Sequence, residues 1–528
     1  MVRYLDNNSG FRQWSATKEA NKSSKSRFGS FFWWFILFLV SWWLIGTWMA
    51  PKKTVTETKE ETIVSEDLSA VPVSEIKSDY ISAELQGLRI YDVKLLKFAK
   101  NGAASDASVP VSLLSGEGAF AEVGFLAPGT TTPVVTTVWK KDGDSFVWKN
   151  NNGIEYRRTI NVDGYVITIE DTIKNSSDKE VSVAPYARIV RSNDMPSSAG
   201  VYTGAVAYVN SDLEHDNWRD LDKKSFAYST TTGFVGFVDQ YWETVISVNS
   251  PDQTLLVKKS GDLYQADSIA NAVSIKAGES KILTTNLFIG PREQKVLDVV
   301  NEKISGIDET IDYGWFWFLA RPMLWALTAL NSVVMNYGVA IIILTILLRL
   351  AIWPLTRKSY TSMIAMQKMQ PELARIQKLY ANDKARMQIE MMQLYRTHKT
   401  SPMSGCLPML IQIPIFFALY KALLVSVQMR SAHFLWISDL AAMDPYFILP
   451  ILMGLTMWLQ QYLQTAANDN KDTNKNDAVA QTQKAMKWMP ILFTVMFAWM
   501  PAGLVLYWTV SNVFGIGQMF YIKKYAKK

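Results

Sequence analysis

The chain has 528 residues, 49% of them hydrophobic, with 19 tryptophans and a formal net charge of only +6. That length allows several domains, the apolar content exceeds an ordinary soluble composition, and so small a net charge gives no support to a specific nucleic-acid partner. One cysteine, Cys406, excludes an intramolecular disulfide; with three scattered histidines (His215, His398, His433) it makes no zinc cluster, and no Gly-Lys dipeptide exists to form a Walker A loop.

In chain order, residues 1–30 carry Arg3, Arg12, Lys18, Lys22, Lys25 and Arg27 against Asp6 and Glu19, a basic tail expected to stay in the cytoplasm. Phe31 to Ala50 has no charge and is long enough for one span at roughly 20 residues per bilayer core. It ends in Trp48 and Met49 rather than small residues, so it reads as a retained anchor and not a cleaved signal. Residues 51–78 lack aromatics and read as a periplasmic linker. Residues 79–305 then read as a periplasmic antiparallel β-sandwich with a closing helix after Pro291. The clearest signal is IEYRRTINVDGYVITIEDTI from Ile154 to Ile173, two alternating runs around Asp163-Gly164 that predict a hairpin. His215, Glu155 and Asp171 are the polar strand residues a carbohydrate site would draw on; strand alternation instead predicts a solvated face.

Residues 312–331, with clustered tryptophans and Arg321-Pro322, predict an amphipathic helix on the outer membrane surface. A second span is expected at 335–355. From 356 to 402 a basic segment predicts a cytoplasmic helical hairpin, its apolar stripes at Leu373, Ile376 and Tyr380 and at Met387, Met391 and Leu394, with Asp383 as N-cap of the second arm. Further spans are expected at 404–427, where Lys421 snorkels outward, and at 445–464, with a periplasmic loop at 428–444 between them. A polar cytoplasmic loop covers 465–485. Trp488 to Ile522 is uncharged and too long for one span, so Pro501-Ala502-Gly503 divides it into spans at 486–500 and 503–522, followed by a basic cytoplasmic tail at 523–528. The fold class is a polytopic α-helical membrane protein of six transmembrane helices with a large periplasmic β-sandwich.

The second span contains the residue that most needs a reason. Met323 to Leu348 is free of charge, and then comes Arg349. A guanidinium at membrane depth costs several kcal/mol unless it finds water, a partner or a bundle interior, although near a helix end it can also snorkel to the headgroups. Other polar residues fall on the same inner side of the midplane: Thr345 one turn before Arg349, Gln412 in the third span, Thr456 and Gln460 in the fourth, Ser511, Asn512 and Gln518 in the last, with Thr494 near the middle of the fifth. The outer halves are almost wholly apolar. This asymmetry predicts a hydrophilic groove open to the cytoplasm and closed outside. A secondary transporter using Arg349 as an anion site is the alternative, although no internal repeat is visible.

Four stretches, LLRLAIWPLTRKSYTSM (347–363), GCLPMLIQIPIFFALY (405–420), DPYFILPILMG (444–454) and PAGLVLYWTVSN (501–512), closely resemble the bacterial YidC-type membrane protein insertases. The resemblance covers essentially the whole chain. It implies a periplasmic β-supersandwich, residence in the bacterial inner membrane, and insertion and folding of nascent membrane proteins into the lipid bilayer, alone or beside the Sec translocon, with loops and basic tail toward the ribosome. It further implies that Arg349 lies in a groove that attracts acidic or polar client segments, and that no cofactor, metal or enzymatic step is involved. Lys421 departs from a Tyr-Tyr pair seen in some relatives.

Overall fold

The computed structural model describes residues 67–99, 109–193, 200–398, 407–465 and 478–525. The tail at 1–30, the span expected at 31–50, and most of the linker and of the 465–485 loop lie outside the described residues.

The β-domain is built on strand alternation. In Ile154–Asp163 the residues alternate between buried and partly exposed, because successive side chains of a strand point to opposite faces. It pairs with Val166–Asn175 from Ile154↔Asn175 to Asp163↔Val166, and the connecting Gly164 takes φ +60°, the left-handed conformation that a tight hairpin requires. Two sheets result. The first, ten-stranded, has Val73–Lys77 at one edge of its path and Phe226–Thr230 at the other; the second, nine-stranded, runs from Asp212–Asn217 to Lys140–Asp142. Ile81, Leu95 and Ile189 of the first sheet and Ile169, Phe237 and Leu287 of the second share one apolar core. The linker therefore ends earlier than expected: Val73–Lys77 is a strand, held by its ladder to Ile81–Gln86.

Of the three polar strand residues Glu155 and His215 are partly exposed, and Asp171 alone leaves the solvated face. Asp171 is buried and takes a two-pronged bond from Arg158 (2.8 and 2.9 Å), which also donates to the Val123 carbonyl. A buried carboxylate needs that pairing. His215 lies on the edge strand Asp212–Asn217, five strands away from the strand of Asp171 and six from that of Glu155. At ~4.8 Å per strand it is more than ~20 Å from both, so the three form no common site.

The helices follow. Gln294–Val300 (α1) closes the β-domain, and Trp317–Val334 (α2) buries Ala320, Met323 and Leu327, one face at helical spacing, while Trp317, Phe318, Trp325 and Val333 remain exposed. Tyr337–Ala351 (α3) is capped by Asn336, whose side chain accepts the Val339 N–H. It does not run on to residue 355. Trp353–Lys368 (α4) starts after one residue, with a bend of 61° between α3 and Trp353–Met366, and Pro354 sits in its first turn, where a missing N–H costs nothing. Gln370–Leu379 (α5) and Lys384–Thr397 (α6) form the expected hairpin, with Asp383 accepting the Arg386 N–H at 3.0 Å. Leu407–Val425 (α7), Ile448–Thr465 (α8), Ala478–Phe497 (α9) and Ala502–Tyr525 (α10) complete the helical region. The α3–α4 pair passes for a membrane span only as a bent whole; no single described helix is long and apolar enough by itself.

The C-terminal end of α7 is tied to the β-domain by polar contacts. Lys421 does not snorkel freely: its ammonium lies 2.6 Å from Asp312 and 2.8 Å from the Gly200 carbonyl. Burial alone would raise the Asp312 pKa, but the hydrogen bond and charge of Lys421 outweigh it and hold the carboxyl below its ordinary range. Gln240 donates to the Leu424 carbonyl, Gln428 to Glu293, and Arg430 to the Ala99 carbonyl while lying over the Trp242 ring. Beneath this contact is a buried polar cluster. Arg191 pairs with Asp239 at 2.6 Å, Arg292 donates to the Asp239 and Thr310 carbonyls, and Thr310 bonds Glu243.

Replacing Lys421 with Met removes the ionic contact and keeps the chain's bulk. Faster amide exchange is expected across 305–314, and unchanged exchange in the Ile154–Asn175 hairpin; protection equal to wild type at 305–314 would mean the pair holds nothing. A second test concerns pH. Full burial pushes the Glu243 carboxyl from its ordinary 4.5 up to about 7, against the opposing pull of Arg292 and Thr310. The folded chain then retains a proton that the unfolded chain has lost, so this group's contribution to stability falls as pH rises from 4.5 to about 7. The melting temperature of the Glu243→Gln chain should fall less steeply over that window than wild type.

Candidate functional site

Arg349 projects from the last turn of α3 and is half-buried. Its guanidinium donates from Nε to the Ser511 hydroxyl at 2.7 Å, and Nη2 reaches the same oxygen. The phenols of Tyr507 and Tyr360 are its electrostatic neighbours. Among the described residues no carboxylate lies within ion-pair distance of it. An arginine bonded to a neutral hydroxyl has lost part of its hydration without the strong compensation that a bidentate carboxylate supplies.

One face of α10 organises the surroundings. Tyr507, Ser511, Gly515 and Gln518 recur at helical spacing, and among them they meet α3, α4, α7 and α8. Tyr507 is bonded by Gln412 of α7 at 2.5 Å, and Ser511 by Arg349 of α3. Tyr360 of α4 accepts from Gln460 of α8 at 3.4 Å, and a Cβ on Gly515 would lie 3.2 Å from the Gln460 amide, so the glycine leaves room for that side chain. Asn512 donates to the Thr456 hydroxyl of α8 at 3.2 Å. Gln518 approaches the Arg349 carbonyl at 3.5 Å, and its own side-chain oxygen is buried without a partner among the described residues.

Seven of the nine expected residues therefore join this seam: Arg349, Gln412, Thr456, Gln460, Ser511, Asn512 and Gln518. Two stand apart. Thr345 is fully buried and returns its hydroxyl to the Ile341 carbonyl of its own helix, at 2.6 Å. Thr494 does the same with Pro490 and packs so closely on Gly454 that a Cβ there would lie 2.0 Å from its oxygen. Hydroxyls in apolar helices commonly bond back four residues in this way, which sequence depth alone does not reveal. Ser511, Asn512 and Gln518 are buried, whereas Arg349, Gln412, Thr456 and Gln460 are only partly so. Tyr507 and Tyr360 were missed because tyrosine counts as apolar in a hydropathy reading, yet Tyr507 stands one turn before Ser511 and was findable from that spacing. Toward the N-terminal end of α10, Ala502, Leu504, Val505 and Leu506 are buried in an apolar core. No group of three or more His, Cys, Asp or Glu among the described residues is placed to hold a metal.

A large antiparallel β-domain joined to apolar helices that meet at a polar, arginine-bearing seam defines the class: an apolar helical bundle carrying a β-sandwich domain. Residues 329–528 match the 60Kd inner membrane protein family, and residues 74–326 the YidC periplasmic domain family. The chain is 38% identical over 433 residues to the membrane protein insertase YidC of Magnetococcus marinus, covering 77% of this chain and 75% of that one. It is 33% identical over 524 residues to that of Rickettsia bellii, covering 90% and 92%. The chain belongs to the YidC family of membrane protein insertases, and is a bacterial inner-membrane protein with a periplasmic domain. Among solved structures, an active YidC insertase aligns over 92% of this chain and 98% of its own, at 18% identity and a TM-score of 0.38.

The seam's interhelical bonds differ in burial: Asn512 is buried, whereas Gln412 is only partly so. Asn512→Leu should lower thermal stability by ~1 kcal/mol, the usual scale of an interhelical side-chain bond in a membrane protein. Gln412→Leu should cost less, because Gln412 is only partly buried. A larger loss for Gln412→Leu in thermal unfolding would contradict this division.

Proposed function

We propose that the seam around Arg349 is the client-contacting groove of this insertase, with Arg349, Gln412, Thr456 and Gln460 facing the client and Ser511, Asn512 and Gln518 supporting them. Thr345 and Thr494 take no direct part. The observation that carries this reading is the arginine itself: it is half-buried and bonded to Ser511 with no described carboxylate partner. Such a group is ready to exchange a hydroxyl for a charge-assisted bond to an incoming carboxylate, which is worth ~1.5–3 kcal/mol. The client's polar segment would be drawn into the inner half, while its apolar segment moves laterally into lipid. Burial there, at ~25 cal/mol per Å², supplies the driving force without nucleotide.

The same reading places six helices across the membrane, including the anchor at 31–50, with both termini in the cytoplasm and α2 in the outer headgroup layer. The exposed aromatics of α2 and the basic residues around α4 to α6 support that orientation. The α5–α6 hairpin would receive nascent clients, the basic tail would face the ribosome, and cooperation with the Sec translocon would use the same lateral route.

The test is reconstitution of the full chain with a client bearing an acidic outer tail. Arg349→Ala should reduce insertion roughly tenfold, the equivalent of ~1.4 kcal/mol, and Arg349→Lys should retain most of it. A client with a neutral tail should be affected much less. Photocrosslinkers at 349, 412 and 460 should capture a stalled client. Full insertion of the acidic client by the alanine form, or an absence of adducts at all three positions, would remove the groove.

A further inference from the structure

A second site lies at the other end of α7, away from the seam. α1, α2 and the turn after α7 enclose a cleft of about 270 Å³. That is far more than the ~10–15 Å³ that one water requires. Ser426 lines it from the wall, is 3% exposed, and has a hydroxyl with no partner among the described residues. A hydroxyl buried beside a polar cleft and left unbonded has given up its hydration for nothing unless something in the cleft bonds it.

Both signs of charge line the cleft. Arg321, Lys295 and Arg292 supply the cations and Glu293 and Asp298 the anions; Arg292 is already committed, facing Glu243 at 4.0 Å and donating to the carbonyls of Asp239 and Thr310. Arg321 lies over the Tyr313 ring, with no described carboxylate in ion-pair range, so its planar donor fork is available to a phosphate. Glu293 accepts from Gln428 through one oxygen, leaving the other for a cation. Trp325 borders the cleft and is 70% exposed, as expected of an aromatic side chain at a membrane surface. A purely anionic headgroup would meet two carboxylates here, and a cationic ligand would meet two basic groups. A molecule carrying phosphate and ammonium together satisfies both.

We infer that the cleft between α1, α2 and the end of α7 binds the headgroup of a zwitterionic aminophospholipid, its phosphate on Arg321 and Ser426 and its ammonium on Glu293 and Asp298. This rests on the placement of α2 at the outer membrane surface. It would anchor the β-domain to the lipid whose leaflet the client enters.

Native mass spectrometry of the full chain with phosphatidylethanolamine, phosphatidylglycerol and phosphatidylcholine tests it. Wild type should retain phosphatidylethanolamine at least fivefold over phosphatidylcholine. Arg321→Gln should lower retention of phosphatidylethanolamine roughly tenfold, and Arg321→Lys should restore most of it. Glu293→Gln, which keeps its bond partner Gln428, should abolish the preference for phosphatidylethanolamine without reducing phosphatidylglycerol. Retention unaffected by Arg321→Gln, or phosphatidylglycerol retained above phosphatidylethanolamine, overturns the proposal. A spin label at Val333 of α2 separates the two readings. Interfacial oxygen accessibility with lipid adducts insensitive to Arg321→Gln sinks the headgroup site alone, whereas a label exposed only to water with adducts intact sinks the placement of α2 alone.

Discussion

The constraint on which the helical region depends is the cost of placing one guanidinium among apolar helices. Arg349 is partly withdrawn from water, and its described partner is the hydroxyl of Ser511 rather than a carboxylate. Everything near it follows from that cost. The helix carrying Ser511 has to approach α3 closely. Tyr507 and Tyr360 place phenols beside the charge, and Gln412 and Gln460 hold those phenols from two further helices. A buried carboxylate in place of Ser511 would neutralise the arginine more completely.

The β-domain rests on a different balance. Inside the sandwich, charge is matched locally: Arg158 with Asp171, and Arg191 with Asp239. At its junction with α7 the matching is between domains, through Lys421 with Asp312 and Gln428 with Glu293. Polar contacts of this kind fix geometry more than they add stability, because each also gives up hydration. The junction also carries a continuous apolar cluster shared by the β-domain and the helices; on top of that nondirectional packing, the directional bonds fix register. The charges left over along this junction, on Arg321, Lys295, Glu293 and Asp298, are the ones that line the cleft beside α2.

Much of this was legible in advance. The hairpin at Asp163-Gly164, the cap at Asp383 and the break at Pro501 are local features, written in period and turn chemistry within a few residues of each other; the helix expected over 312–331 spans Trp317–Val334. The seam was legible in part, since depth along each helix places a polar residue at the right level. Depth does not say which way the side chain turns, nor whether a hydroxyl bonds outward or back to its own helix. Thr345 and Thr494, expected in the groove from their depth, bond back to their own helices, and Tyr507 and Tyr360 escape a hydropathy reading because an apolar ring hides a polar end.

The sequence by itself determined the division into a β-domain and an apolar helical region, the singular position of Arg349, and the family, because these depend on composition, periodicity and contiguous motifs. Only the tertiary structure decided that Ser511 holds the arginine, that Lys421 reaches Asp312 instead of the headgroups, and that Asp171 is buried on Arg158 rather than solvated. Each of these pairs is separated by 13 to 162 residues along the chain. An electrostatic interaction depends on distance in space, and chain folding alone sets that distance.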